Sequence, residues 1–213
     1  MRSQRRQRGR AIVAGLLLGL SACATPETAR MEGLASGAAP SEAELNAALQ
    51  ALKASQAAGQ TGTVNGFGFL NASPAPLVVF AKGALSLIPS TPALEAALLD
   101  VARTWRQGRR RPVSEPEAQA AFALLDRHVR ALQARGERAF IRSAQSDDEG
   151  RFAFEAVPAG RWLLVTDMDS PVSAILWAIP ADVKAGETVQ VIVTDGTILL
   201  EGQRPASRER PTP

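Results

Sequence analysis

Between residues 151 and 194 apolar side chains recur at every second position, and this period of two constrains the fold more than any other feature of the chain. Phe152, Phe154 and Ala156 alternate with Arg151, Ala153 and Glu155. Ile175, Trp177 and Ile179 alternate with Leu176 and Ala178, and Val189, Val191 and Val193 alternate with Thr188, Gln190 and Thr194. Successive side chains of a strand point to opposite faces, so each run offers one face to a core and the other to solvent. Turn residues punctuate the runs at Asp147-Asp148-Glu149-Gly150, Pro158-Ala159-Gly160, Ala185-Gly186 and Asp195-Gly196. Short strands at intervals of about ten residues predict a β-sandwich, with two earlier strands near 63–70 and 77–88 completing its sheets.

A period of 3.6 interrupts that pattern. Thr91-Pro92 reads as a helix cap with proline in the first turn, followed by Leu94, Leu98, Val101 and Trp105. After a basic loop, Ser114-Glu115-Pro116-Glu117 reads as a capping box. The helix it opens carries Ala118, Ala121, Phe122, Leu125, Val129 and Leu132 and stops at Gly136. These residues predict a helical hairpin, 91–136, inserted into the β-domain and packed on a sheet face. Upstream, Ser41-Glu42-Ala43-Glu44 opens a further helix over about 42–57 with Leu45, Leu49 and Leu52 in register. Its apolar face is thin, which predicts a loosely docked stalk. The expected organisation is a leader over 1–22, a spacer with one helix over 23–60, a sandwich over 61–202 and a disordered tail over 203–213. About 140 residues bury roughly two-thirds of the unfolded chain's surface, so a core of this size needs no disulfide or metal.

The amino terminus reads as an address. Arg2, Arg5, Arg6, Arg8 and Arg10 precede an apolar run from Ala11 to Leu20, and small residues then surround Cys23, the only cysteine of the chain. Basic, apolar and small segments in that order form an export signal, and the run is well short of the ~20 residues a bilayer core demands. Leu20-Ser21-Ala22-Cys23 resembles the lipobox of bacterial lipoproteins, while Ala22-Cys23-Ala24 also fits ordinary signal cleavage. An exported chain with one unpaired thiol favours the first reading, since a lipid on Cys23 removes that liability. The resemblance implies membrane attachment through lipid on Cys23, and Ala24 in the next position implies the outer membrane. The formal charge of +3 misleads, because five arginines lie ahead of the cut and leave the mature chain at −2. A nucleic-acid-binding role is therefore not expected.

The stretch Ser146-Asp147-Asp148-Glu149-Gly150-Arg151-Phe152-Ala153-Phe154, continued by Pro158-Ala159-Gly160-Arg161-Trp162-Leu163-Leu164, resembles the signature of carboxypeptidase regulatory-like domains. Val183 to Val189 is similar to the last hairpin of that family, with Trp162 standing where tyrosine is more usual. The resemblance implies a mainly β fold: a seven-stranded Greek-key, prealbumin-like sandwich, here with an inserted two-helix hairpin and an N-terminal helix. It implies little about activity, because such a fold serves many roles.

No catalytic residues are expected. His128 is the only histidine, and it sits beside the apolar stripe of a helix, so neither a three-ligand zinc site nor a triad has its parts. It reads as a helix-flank residue, partly packed and partly wet. Asp147, Asp148 and Glu149, and likewise Asp167 and Asp169, read as solvated turns, since calcium needs six to eight oxygens in a suitable register. No metal and no cofactor is expected. Trp162 and Trp177 fall in phase with the core positions. Trp105 is the aromatic expected at the surface, beside Arg106 and the Arg109-Arg110-Arg111 run, where guanidinium groups grip carboxylate or phosphate. These five residues form the candidate interaction surface. The expected role is a non-enzymatic envelope lipoprotein that binds or scaffolds another envelope protein. The alternative is a carbohydrate- or peptidoglycan-binding module, with a glycan or an anionic envelope polymer as its partner.

Overall fold

The computed structural model describes residues 41–71, 77–108, 113, 115–169 and 173–203. These form three helices, α1 (Glu42–Ala57), α2 (Pro92–Gln107) and α3 (Glu115–Ala134). They also form nine strands: β1 (Thr61–Leu70), β2 (Val78–Val79), β3 (Ala84–Pro89), β4 (Arg142–Gln145), β5 (Arg151–Pro158), β6 (Gly160–Asp169), β7 (Ser173–Val183), β8 (Thr188–Val193) and β9 (Leu200–Gln203). Nine segments replace the expected seven for two local reasons. The stretch 77–88 is split by a turn at Lys82, whose φ is +55°. After the expected final hairpin, the chain folds back so that Leu200–Gln203 pairs with β7.

In the first sheet β1 lies between β5, antiparallel, and β8, parallel, while β2 pairs with its last two residues. The second sheet runs β4-β3-β6-β7-β9 and is antiparallel throughout. Register assigns its two faces. Leu85, Leu87, Trp162, Leu164 and Trp177 share the face turned towards Val64, Phe152, Phe154 and Val191 of the first sheet. Ile88, Leu163, Leu176, Leu200 and Gly202 share the other face, and α3 crosses it closely. A Cβ on Gly202 would lie 2.4 Å from that of Ala118 on α3. The molecule is thus layered as sheet, sheet and helical hairpin. Both faces of the second sheet are covered, which is why Leu176, expected on a solvent face, is 1 % exposed. Trp162 and Trp177 are fully buried, as their phase predicts. Their indole N–H groups donate to the carbonyls of Pro158 and Thr194, both at 2.8 Å, so neither leaves an unsatisfied donor in the core.

The stalk expectation for α1 is corrected. The helix and its capping box stand as read: Ser41 Oγ accepts from Glu44 N at 3.2 Å, and the Glu44 carboxylate accepts from Ser41 N at 3.0 Å. Leu45, Leu49 and Leu52, however, are 2–3 % exposed and belong to the common core. Leu52 reaches it because Gly160, with φ +150°, has no side chain; a Cβ there would lie 2.5 Å from Leu52 Cδ2. Polar clamps hold the exposed flank, where Lys53 pairs with Glu137 and Arg135 reaches Glu42 and Asn46. Three buried leucines at about 1.5–3 kcal/mol each bind a helix firmly to its domain.

Candidate ligand-binding face

The outer face of the first sheet is the surface where polar and aromatic side chains converge. Cross-strand register arranges it in rows. Phe67 on β1 stands between Arg151 on β5 and Ile192 on β8, and the next row places Asn65 between Ala153 and Gln190. One step beyond, Phe69 pairs with Val79 of β2. The usual alternation is inverted along β1, with glycines inside and aromatics outside. Core rings enforce this: a Cβ on Gly66 would lie 2.7 Å from Phe152 Cζ and 1.8 Å from Val191 O, and one on Gly68 would lie 2.8 Å from Phe80 Cβ. With Phe152 and Phe80 occupying the interior, the β1 phenylalanines turn outward. Their rings are nearly parallel, 11° apart in plane and 5.7 Å between centroids, and both are half-buried.

The turn between β4 and β5 walls one side of this face. Asp147 Oδ1 accepts the backbone N–H groups of Glu149 at 3.0 Å and Arg151 at 2.7 Å, so this carboxylate is engaged by its own loop. Gly150, at φ +78°, brings the turn against β1, and its carbonyl accepts from Gly68 N at 2.9 Å. Ser146 ties the same turn to the β2–β3 connection, accepting from Gly83 N at 2.9 Å and donating to the Phe80 carbonyl. The result is an open depression of about 860 Å³ whose lining includes Asn65, Phe67, Gln145, Glu149, Arg151 and Gln190. Asp148 pairs with Lys82 at 3.3 Å, whereas Glu149 and Arg151 have no ion-pair partner among the described residues. The amides of Asn65 and Gln190 each carry a donor and an acceptor, as a sugar hydroxyl does. Beside them the ring pair offers an apolar surface for the C–H face of a pyranose. The depression is shallow and open along β1, a shape suited to a chain lying across it rather than a molecule enclosed by it.

The sequence-predicted surface fares differently. Cys23 and Arg109, Arg110 and Arg111 lie outside the described residues. Arg106 is exposed at the end of α2, but Trp105 beside it is 3 % exposed, which corrects the expectation of a surface aromatic. It continues the buried stripe of Leu94, Leu98 and Ala102 on a helix that packs against β9. This hairpin and the open face of the first sheet lie on opposite sides of the molecule, two layers apart.

His128 is also corrected. It is 3 % exposed, on the sheet side of α3, with Nε2 2.8 Å from the carbonyl of Pro89. That carbonyl only accepts, so Nε2 carries the proton, and buried Nδ1 has no partner among the described residues. Burial pushes its pKa below the ordinary 6.5, against a smaller upward pull from the hydrogen bond to Pro89. Among the described residues no group of three or more His, Cys, Asp or Glu side chains is placed to hold a metal ion. Nor is any described helix long and apolar enough to cross a membrane.

No protein-family model and no curated protein matches the chain, so the resemblance to carboxypeptidase regulatory-like domains finds no counterpart there. Among solved structures, the chain is similar to a Pseudomonas aeruginosa protein provisionally described as carbohydrate-binding, at TM-score 0.37 and 17% identity over 63% of this chain and 88% of that one. It is also similar to GBS52, a minor pilin of Streptococcus agalactiae, at TM-score 0.35 and 10% identity over 72% of this chain and 49% of that one. The pilus backbone protein RrgB of Streptococcus pneumoniae follows at TM-score 0.29 and 10% identity, over 62% of this chain and 40% of that one. Likeness this low decides neither the function nor the finer topology. What defines the class is the architecture itself: a mainly β domain of two packed sheets, with a helical hairpin on the outer face of one and a further helix touching both.

Proposed function

We propose that this protein is a non-catalytic module of the bacterial cell envelope that binds a glycan on the open face of its first sheet. The observation that carries the reading is the row geometry of β1, β5 and β8. It sets a near-parallel Phe67–Phe69 pair beside the amides of Asn65 and Gln190 on a surface open to a long polymer. Aromatic faces and bidentate amides are the means by which proteins hold sugars without reacting with them, since stacking needs no charge and amides match hydroxyls in both directions. Tethering through lipid on Cys23, at the outer membrane, belongs to the same proposal, as does assignment of β1 and β3–β8 to a Greek-key, prealbumin-like core. A polymer in the envelope, peptidoglycan above all, then lies within reach of the anchored domain.

The test is co-sedimentation with purified, protein-free sacculi. Wild-type chain is expected in the pellet, and the Phe67→Ala/Phe69→Ala double variant in the supernatant while still unfolding cooperatively, well above the assay temperature. Equal pelleting of both proteins would refute the assignment of this face. A second reading, docking of an envelope protein on the helical hairpin, is favoured by Leu99, which is 58 % exposed on α2 near Arg106. Charge reversal of Arg106, Arg109, Arg110 and Arg111 is expected to abolish co-purification of such a partner.

A further inference from the structure

The edges of the two sheets are guarded unequally. At the far end of β5 the Arg142 guanidinium donates to the carbonyls of Ala156 at 2.8 Å and Glu155 at 2.7 Å, and Ala156 itself, at φ +50°, breaks the regularity of the strand. β4 is only four residues long and carries Arg142 at its start. β9 is covered by Val113, which bridges to Gly202 and donates its N–H to the Glu201 carbonyl at 2.8 Å. Short strands, arginines and covering segments are the means by which sheet edges avoid pairing with other chains.

β8 has none of these. Among the described residues it pairs with β1 alone, and Thr63 N donates to the Glu187 carbonyl at 2.9 Å. Backbone groups alternate along a strand, so Val189, Val191 and Val193 also turn theirs towards β1, while Thr188, Gln190 and Ile192 turn theirs outward. The Ile192 carbonyl accepts from Thr197 Oγ1 at 3.1 Å. Among the described residues the remaining outward N–H and C=O groups of these three positions meet no protein partner. The run Thr-Val-Gln-Val-Ile-Val contains no charge and no proline, and its three outward-edge residues are exposed.

We propose that β8 is a pairing edge for a second copy of this chain, with β8 laid antiparallel against β8 about a two-fold axis at Gln190. In that register Gln190 faces the partner's Gln190, and Thr188 faces the partner's Ile192. Every outward backbone group then finds a complement, and no charge meets a like charge. That neutrality favours self-pairing over a charged peptide strand, and a closed two-fold contact uses the edge once and does not propagate. Pairing joins the two first sheets into one and sets their open faces side by side. A contact of three residues per strand is weak alone, and the lipid tether proposed above would raise the effective concentration of both copies by confining them to one surface. The pairing rests on the β8 edge and not on the glycan reading.

The test uses the full-length chain in the cell that makes it, with a photoreactive benzoylphenylalanine at position 192 or, on the opposite side of the molecule, at position 99. A crosslinked species of twice the mass is expected from 192 and not from 99. Gln190→Pro removes an outward donor without touching the β1 ladder, and Gln190→Lys sets two like charges in register. Each is expected to lower the crosslinked yield at least tenfold; should the proline variant misfold, the lysine variant carries the comparison. Absence of the double-mass species from position 192 overturns the proposal. So does an adduct with a different protein in its place, or a yield that survives Gln190→Lys.

Discussion

If α1 is part of the domain, shortening one of its leucines must unsettle the whole fold. Leu52→Ala is the sharpest perturbation, because this side chain is 2 % exposed and lies against the bare backbone of Gly160, where nothing can move in to fill the gap. Burial of this degree, with poor prospects of collapse, puts the cost near the middle of the Leu→Ala range, at about 3 kcal/mol. For a domain of this size each kcal/mol moves the melting temperature by about 2–4 °C, so a fall of about 6–12 °C is expected. The assay is thermal unfolding followed by far-ultraviolet circular dichroism, with Leu99→Ala as the matched control. Leu99 is 58 % exposed, and its truncation is expected to change stability by less than about 0.5 kcal/mol. Equal melting temperatures for Leu52→Ala and Leu99→Ala would refute the docking of α1 and restore it as a stalk.

Three further outcomes are expected. His128 has a folded pKa below its unfolded 6.5, so the unfolded chain binds more protons below that pH. The stability it contributes is complete above pH 6.5 and falls, by up to about 1.4 kcal/mol per unit, as pH drops towards the folded pKa. Denaturant midpoints measured from pH 7.5 to 5 check this, and His128→Gln is expected to flatten that slope even if it lowers stability at every pH. Gly202→Val forces a side chain into the 2.4 Å approach to Ala118 and is expected to lift α3 from β9, read as faster amide exchange along 118–132 with 152–157 unchanged. Arg142→Gln removes two charge-assisted bonds to β5 carbonyls. A loss of about 1 kcal/mol is expected, with light scattering rising as the β5 edge is exposed.

Where local chemistry decides the structure, the sequence was legible. The Ser41–Glu44 box, the Thr91-Pro92 start, the glycine turns and the alternation of β8 and of β5 as far as Phe154 each depend on neighbours a few residues away, and the elements stand close to where those signals put them. Ala156, expected inside, is exposed because its φ of +50° shifts the alternation and buries Val157 instead. What escaped depends on contacts far along the chain. Trp105 is buried on a helix that packs against β9, and nothing near residue 105 announces a strand near residue 200. The α3 stripe is rotated for a similar reason: Leu124 and His128 face the sheet, while Phe122 and Val129 are half-covered. Both faces of β7 are buried, so period two fades between Ala174 and Trp177. The ligand-binding face did leave a trace. Gly66-Phe67-Gly68-Phe69 puts the smallest residue at the inward positions and aromatics at the outward ones, and that inversion marks a strand whose core space is filled from elsewhere.

The most direct test of the account is a map of backbone amide chemical-shift changes as soluble peptidoglycan fragments are added to the isotopically labelled protein. Changes are expected to cluster at 63–69, 151–155 and 188–192, to saturate with ligand and to be lost in the Phe67→Ala/Phe69→Ala variant. Changes confined to 92–134, or none across a panel of envelope glycans, would contradict it.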